Sequence, residues 1–209
     1  MTSRTKIAKA LLNIKAVGFS LQEPITFKSG IKSPVYVDNR RLPYHPAEWR
    51  VVIESFVELI KIKNLEFDCI AGIEAAGIPH SAALGFYLSL PSVFVRKTVK
   101  DHGTKKMVEG GDVTGKRVLL IEDHVTTGGS SLSGVVSLRQ AGAVVKQCLA
   151  ITSYEMKEAT RMFTDADVEL HTLTTFSDIF DQAEKEQTLT AAEKKIVTKW
   201  LTNPQGWGV

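Results

Sequence analysis

Residues 118–131 read VLLIEDHVTTGGSS, and this stretch decides the fold. An unbroken apolar run ends in two adjacent carboxylates, Glu122 and Asp123, and hydroxyls and a glycine pair follow at once. A short apolar run closed by a glycine turn is a buried strand. Working outward, the same kind of run recurs in FDCIAG (67–72), SVFVR (92–96) and VVKQCLAIT (144–152). Between them lie helix candidates: a segment from Pro46 carrying Trp49, Val52, Ile53, Phe56 and Ile60 at helical spacing, then HSAALGFYLSL (80–90) and SLSGVVSLRQAGA (131–143). Strands this apolar alternating with helices predict an α/β fold with a central parallel sheet covered on both faces.

Toward the ends the pattern changes. Ser3 is placed to cap a short helix carrying Ile7, Ala8, Leu11 and Leu12, and ITFKSGIKSPVYVDNR (25–40) reads as two extended pieces broken by Ser29-Gly30 and Ser33-Pro34. Thr190 and Glu193 form a candidate capping box for a last helix. One segment, KTVKDHGTKKMVEGGDVTGK (97–116), is polar and rich in turns, with little to pack, and is expected to be a lid.

The bulk properties narrow the function. The 209 residues suit one domain, and a formal charge of +3 is too small and dispersed for a nucleic-acid footprint. Cys69 and Cys148 sit in separate apolar runs and read as buried thiols. There is no signal-like or membrane-length apolar stretch, so a cytoplasmic protein with no membrane or nucleic-acid partner is expected.

In a parallel sheet, ligands bind beyond the carboxyl ends of the strands. A glycine turn entering a helix there directs several backbone N–H groups at one point, which suits a phosphate, with hydroxyls of Thr126, Thr127, Ser130 and Ser131 as further donors. The stretch lacks the lysine of a P-loop and the glycine spacing of a dinucleotide fingerprint. Two carboxylates beside a phosphate would repel it, so their partners are sugar hydroxyls or a Mg²⁺ ion held through water. A phosphorylated sugar satisfies both halves. The bland alternative is that the acids merely cap the next helix.

VLLIEDHVTTGGSS resembles the phosphoribosyl-diphosphate (PRPP) motif of the type I phosphoribosyltransferases. Three further stretches narrow the resemblance to the orotate phosphoribosyltransferases: ITFKSGIKSPVYVDNR, AGIEAAGIPHSAAL (71–84) and VFVRKTVKDHGTKK (93–106). The resemblance implies a single domain, with hood elements in residues 1–45, a core in 46–209 and a mobile loop near 97–115. It implies transfer of ribose 5′-phosphate from PRPP to orotate with Mg²⁺ held mainly through PRPP and water, in a homodimer whose loop residues complete the neighbouring site. By motif, Glu122 and Asp123 resemble the pair on the ribose hydroxyls. Thr126, Thr127, Gly128, Gly129 and Ser130 resemble the 5′-phosphate loop, flanked by His124 and Val125, and Thr126 also contacts orotate in that family. Arg96, Lys97, Lys100 and His102 resemble the basic set around the diphosphate, and Lys28 a residue near the PRPP and base sites. Lys100, His102 and Asp123 carry the catalytic expectation.

The chain departs from the family pattern at three places. Ala75-Ala76 stands where many members have Tyr-Lys, Tyr154 stands near the usual orotate arginine, and His124 replaces an apolar residue. Two rival readings therefore stay open: a transferase for another nucleobase, and a PRPP-sensing regulatory protein without chemistry. The retained loop lysines and the lack of a helix-turn-helix beside the core argue against the second.

Overall fold

The computed structural model describes residues 2–20, 23–27, 29–98 and 106–207. Helix α1 (Ser3–Asn13) is capped by Thr2, whose side chain accepts the Thr5 N–H, so Ser3 is the first helical residue and not the cap expected of it. Four short strands follow: β1 (Val17–Phe19), β2 (Ile25–Thr26), β3 (Lys32–Ser33) and β4 (Val35–Val37). β1 pairs antiparallel with β4, and β2 with β3. These two ribbons lie within the residues expected to form a hood. A 3₁₀ turn, Asn39–Tyr44, leads into α2 (Pro46–Ile62), whose proline occupies the first turn, where a missing N–H costs nothing.

The core then alternates as expected: β5 (Cys69–Ile73), α3 (Gly77–Leu88), β6 (Ser92–Val95), β7 (Val108–Glu109), β8 (Arg117–Val125), α4 (Gly129–Gln140), β9 (Val144–Ser153), α5 (Lys157–Asp165), β10 (Glu169–Thr172), α6 (Phe176–Lys185) and α7 (Ala191–Thr202). The six-stranded sheet has the order β10-β9-β8-β5-β6-β7, parallel throughout except for β7 against β6. β8 is therefore flanked on both sides. Val118 and Leu120 face Val135, Leu138 and Phe163 of α4 and α5. Leu119 and Ile121 face Ile7 and Leu11 of α1, Phe56 of α2 and Leu84 of α3. α3 also comes close to the strand: a Cβ on Gly77 would stand 2.6 Å from the Ile121 carbonyl oxygen, so the helix start can lie against β8 only without a side chain.

Two expected boundaries move. Helix α1 was expected among the hood elements of residues 1–45, yet Ile7, Ala8 and Leu11 are fully buried on the sheet face, so α1 belongs to the core layer. The segment 97–115 is not one loop. Val108 and Glu109 pair with Val95 and Phe94, and Val113 is buried, so the chain rejoins the sheet edge well before β8. The strand hydrogen bonds and these valines outweigh a polar composition that reads as loop. The rest of the expected lid, residues 99–105, lies outside the described residues.

The last thirty or so residues, which carry no motif, hold the hood. Trp200 of α7 is fully buried against Val35, Val37, Tyr154 and Phe176, and its indole N–H donates to the Lys32 carbonyl at 3.1 Å. The Thr190–Glu193 capping box that starts α7 is present in both directions.

Candidate functional site

β8 carries the acidic pair past the point where its apolar core ends, and the strand continues to Val125, paired with β9 through His124↔Thr152 and Val125↔Ser153. Successive side chains on a strand point to opposite faces, which divides the pair. Glu122 turns toward α4, is only 5% exposed, and accepts the Ser131 hydroxyl at 3.1 Å and the Asp123 N–H at 3.1 Å. Asp123 is half-buried, and its carbonyl accepts the Asn39 side-chain amide at 2.7 Å. No side chain caps α4, so the acids are not there as helix caps. The pair expected at the ribose hydroxyls is one partly open acid, Asp123, backed by one buried acid, Glu122.

Their electrostatics follow. Burial, and next the neighbouring Asp123, push the Glu122 carboxyl well above the usual carboxylate range. Burial raises Asp123 too, while a hydrogen bond from Glu122 and the field of Lys97 favour its charged form. Burial thus favours the protonated form more strongly at Glu122, while Lys97 favours charge on Asp123. A carboxyl whose folded-state pKa is raised binds its proton more tightly in the fold than in the unfolded chain. Stability from Glu122 is then lost as pH rises from the ordinary glutamate value of 4.5 through the raised value. Glu122→Gln should flatten that slope and melt at a higher temperature than the parent at neutral pH. Thermal unfolding of both proteins across the pH range measures it; identical pH slopes would show that Glu122 does not hold a proton more tightly in the fold.

Beyond the pair the backbone makes the nest. Gly128 takes φ +89, a left-handed conformation that favours glycine, and its position as N-cap leaves the first N–H groups of α4 without a side-chain acceptor. A cleft of about 520 Å³ opens over this turn. His124, Val125, Thr126, Thr127, Gly128, Gly129 and Ser130 all line it, and the hood closes the other side with Phe27, Ser29 and Tyr36 among others. A second cleft of about 360 Å³ is lined by Arg96, Lys97, Ser130 and Ser133, so Ser130 borders both. Arg96 is held by Glu109 at 3.2 Å, and the Lys97 N–H donates to Glu74 at 2.9 Å. Lys28, Lys100 and His102 lie outside the described residues.

The departures from the family pattern now have places. The Asn39 side chain donates to Thr152 Oγ1 at 2.8 Å, and Thr152 Oγ1 lies 2.7 Å from His124 Nδ1. The threonine hydroxyl thus links the Asn39 amide to the His124 ring, and it lies 3.5 Å from the Asp123 carbonyl oxygen. Burial depresses the His124 pKa to about 3, so it is a neutral ring at the cleft. Tyr154 is not in the cleft wall. It stacks behind Phe27 with ring centres 5.1 Å apart, meets the His124 edge at 4.3 Å and packs on Phe176 and Trp200. Ala75 and Ala76 lie in the turn between β5 and α3.

Sequence reading passed over Asn39, Thr152, Phe27 and Tyr36. Asn39 and Thr152 sit 113 residues apart, and the packing of the 3₁₀ turn on the ends of β8 and β9 joins them. Phe27 and Tyr36 lie inside the ITFKSGIKSPVYVDNR stretch that carried the resemblance, and their aromatic character there was the available signal.

Among the described residues no cluster of three or more acids, histidines or cysteines could cage a metal ion. Asp123 nevertheless offers a hard oxygen donor at the strand end, and Mg²⁺ commonly uses one or two carboxylates plus substrate oxygens and water. The donor set fits an ion that arrives with a phosphorylated substrate.

Residues 40–185 match the family described as the phosphoribosyl transferase domain. An orotate phosphoribosyltransferase of Coxiella burnetii is 40% identical over 207 residues, covering 99% of each chain. One from Lactococcus lactis subsp. lactis is 41% identical over 207 residues, with the same 99% coverage of both. Among solved structures, the orotate phosphoribosyltransferase of Aeropyrum pernix is similar at a TM-score of 0.75 and 29% identity, covering 88% of this chain and 99% of that one.

Proposed function

The chain belongs to the phosphoribosyl transferase domain family, and within it to the orotate phosphoribosyltransferases, and from that premise we propose how its own residues carry the reaction. It is a pentosyltransferase of pyrimidine synthesis that converts orotate and PRPP to orotidine 5′-phosphate and diphosphate. The observation that carries the assignment of roles is the glycine nest at the end of β8 with a half-buried acid directly before it.

In the reaction a ring nitrogen bonds to C1′ of the ribose while the bond from C1′ to the diphosphate oxygen breaks, and diphosphate leaves with the electron pair. The nest of residues 126–130 holds the 5′-phosphate and so fixes the sugar along the cleft. Asp123 accepts the ribose hydroxyls, with Glu122 behind it as a protonated support. As C1′ turns cationic, a carboxylate already fixed nearby is stabilising without rearrangement. Arg96 and Lys97, lining the second cleft beyond Ser130, take the departing diphosphate. Lys100 and His102 belong to the same stretch and are proposed to complete that set as catalytic groups. Asp123, with substrate oxygens and water, would hold a Mg²⁺ ion, which would supply positive charge against the diphosphate.

The proposal includes a cytoplasmic homodimer. No described helix is long and apolar enough to cross a membrane. Tyr44 and Phe86 are 86% and 90% exposed, rings that a second copy would take out of water. The test is an assay with PRPP and Mg²⁺ against orotate, uracil and the purine bases, following diphosphate release and nucleotide formed. Orotidine 5′-phosphate and diphosphate should appear in equal amounts with orotate. Turnover with another base and none with orotate would overturn the reading.

A further inference from the structure

Orotate differs from uracil by one carboxylate, and a base site that prefers it needs a donor aimed at that group. The cleft wall contains no cation among the described residues: Ile25, Thr26, Phe27, Ser29 and Tyr36 form the hood side, and His124 is a neutral ring. Tyr154, at the place of the usual arginine, is buried behind Phe27. Among the described residues, one positive charge is linked to the cleft wall through Tyr36. Arg40 donates from Nη2 to the Tyr36 hydroxyl at 2.8 Å, and its Nε is held by Asp38 at 2.6 Å.

The bond has a fixed sense. A guanidinium has no acceptor, so the Tyr36 oxygen receives and its own proton is left for another group. Among the described residues that hydroxyl meets no acceptor. A phenol that accepts from a cation is a stronger donor than a free one, and its natural partner is an anion. Asp38 fixes the guanidinium, Arg40 polarises the phenol, and Tyr36 borders the cleft on the hood side, opposite the phosphate nest.

We propose that Tyr36, backed by Arg40 and Asp38, is the specificity-determining group that recognises the carboxylate of the pyrimidine substrate. This rests on the orotate reading above. Arg40 stays behind the phenol as a positioning residue, so the device gives this site selectivity for a 6-carboxylated pyrimidine without a guanidinium in the cleft wall.

The test compares Tyr36→Phe and Arg40→Gln with the parent, measuring KM for orotate, KM for PRPP, Ki of uracil as a competing ligand, and melting temperature. Tyr36→Phe removes one charge-assisted hydrogen bond and should raise KM for orotate about ten- to a hundredfold, with Ki of uracil and KM for PRPP unchanged. Arg40→Gln should raise the same ratio of orotate KM to uracil Ki by a smaller factor. An unchanged ratio in Tyr36→Phe, while the parent turns over orotate, overturns the carboxylate role alone. An equal weakening of orotate and uracil with a lower melting temperature also overturns it, leaving Tyr36 as a hood clamp. A parent that turns over another base and not orotate defeats the functional reading and this proposal together.

Discussion

Asp123→Asn should fold as the parent does and lose about ten- to a thousandfold in kcat/KM for PRPP, the scale of one charge-assisted contact that strengthens in the transition state. The fold should survive because the substitution is isosteric. The Asp123 backbone carbonyl still accepts the Asn39 amide, and neutralising a half-buried carboxylate removes a desolvation cost. Activity should not survive, because an amide presents an N–H to hydroxyls that a carboxylate would accept, and it withdraws negative charge from beside a cationic C1′. Glu122→Gln is the control. Its side chain is buried and protonated in the proposed site, so a neutral amide there should cost activity far less than the same change one residue later. Steady-state kinetics at saturating orotate, with melting temperatures for all three proteins, measures the contrast. Parent-like kinetics in Asp123→Asn would remove the ribose role from this acid.

The contrast also shows what was legible in the chain. Residues 118–131 announced strand, acids and nest in order, because backbone periodicity and turn chemistry are local. The sequence pattern places the start of α4 at Ser131, yet it lies at Gly129, because the second glycine and Ser130 already take helical conformation. Which acid is open and which is buried was not legible, since it depends on α4 packing over one face of β8 and bringing Ser131 to Glu122. Tyr154 taught the same lesson from the other side. Its neighbourhood in the sequence is that of a substrate residue, yet Phe176 and Trp200, well downstream, draw it into an aromatic cluster. Polar composition misread residues 106–113 because two valines and a few ladder bonds suffice to hold an edge strand. Tyr36 and Arg40 lie four residues apart, on β4 and in the turn after it, and only the bend between them turns the guanidinium back onto the phenol.

Mixing Lys100→Ala protein with Asp123→Asn protein should raise activity to about a quarter of the parent's, above that of either impaired preparation alone. Asp123 sits on β8, paired on both sides by β5 and β9, so it can serve only the site on its own subunit. In sequence, Lys100 belongs to the basic stretch that joins β6 to the edge strand β7. Lysines and arginines in such a stretch lose hydration if they settle on the protein surface, and gain it back only against an anion. The diphosphate is that anion, and in a homodimer a neighbouring subunit's diphosphate is equally available. If Lys100 serves the partner's site, a mixed dimer has one site carrying both defects and one carrying neither. Random reassortment makes half the dimers mixed, and half of their sites are whole. If Lys100 serves its own site, every site in the mixture keeps one defect and activity does not rise. Subunit exchange is confirmed separately by recovering a tagged copy with an untagged one, so that the lack of a rise counts against the shared site.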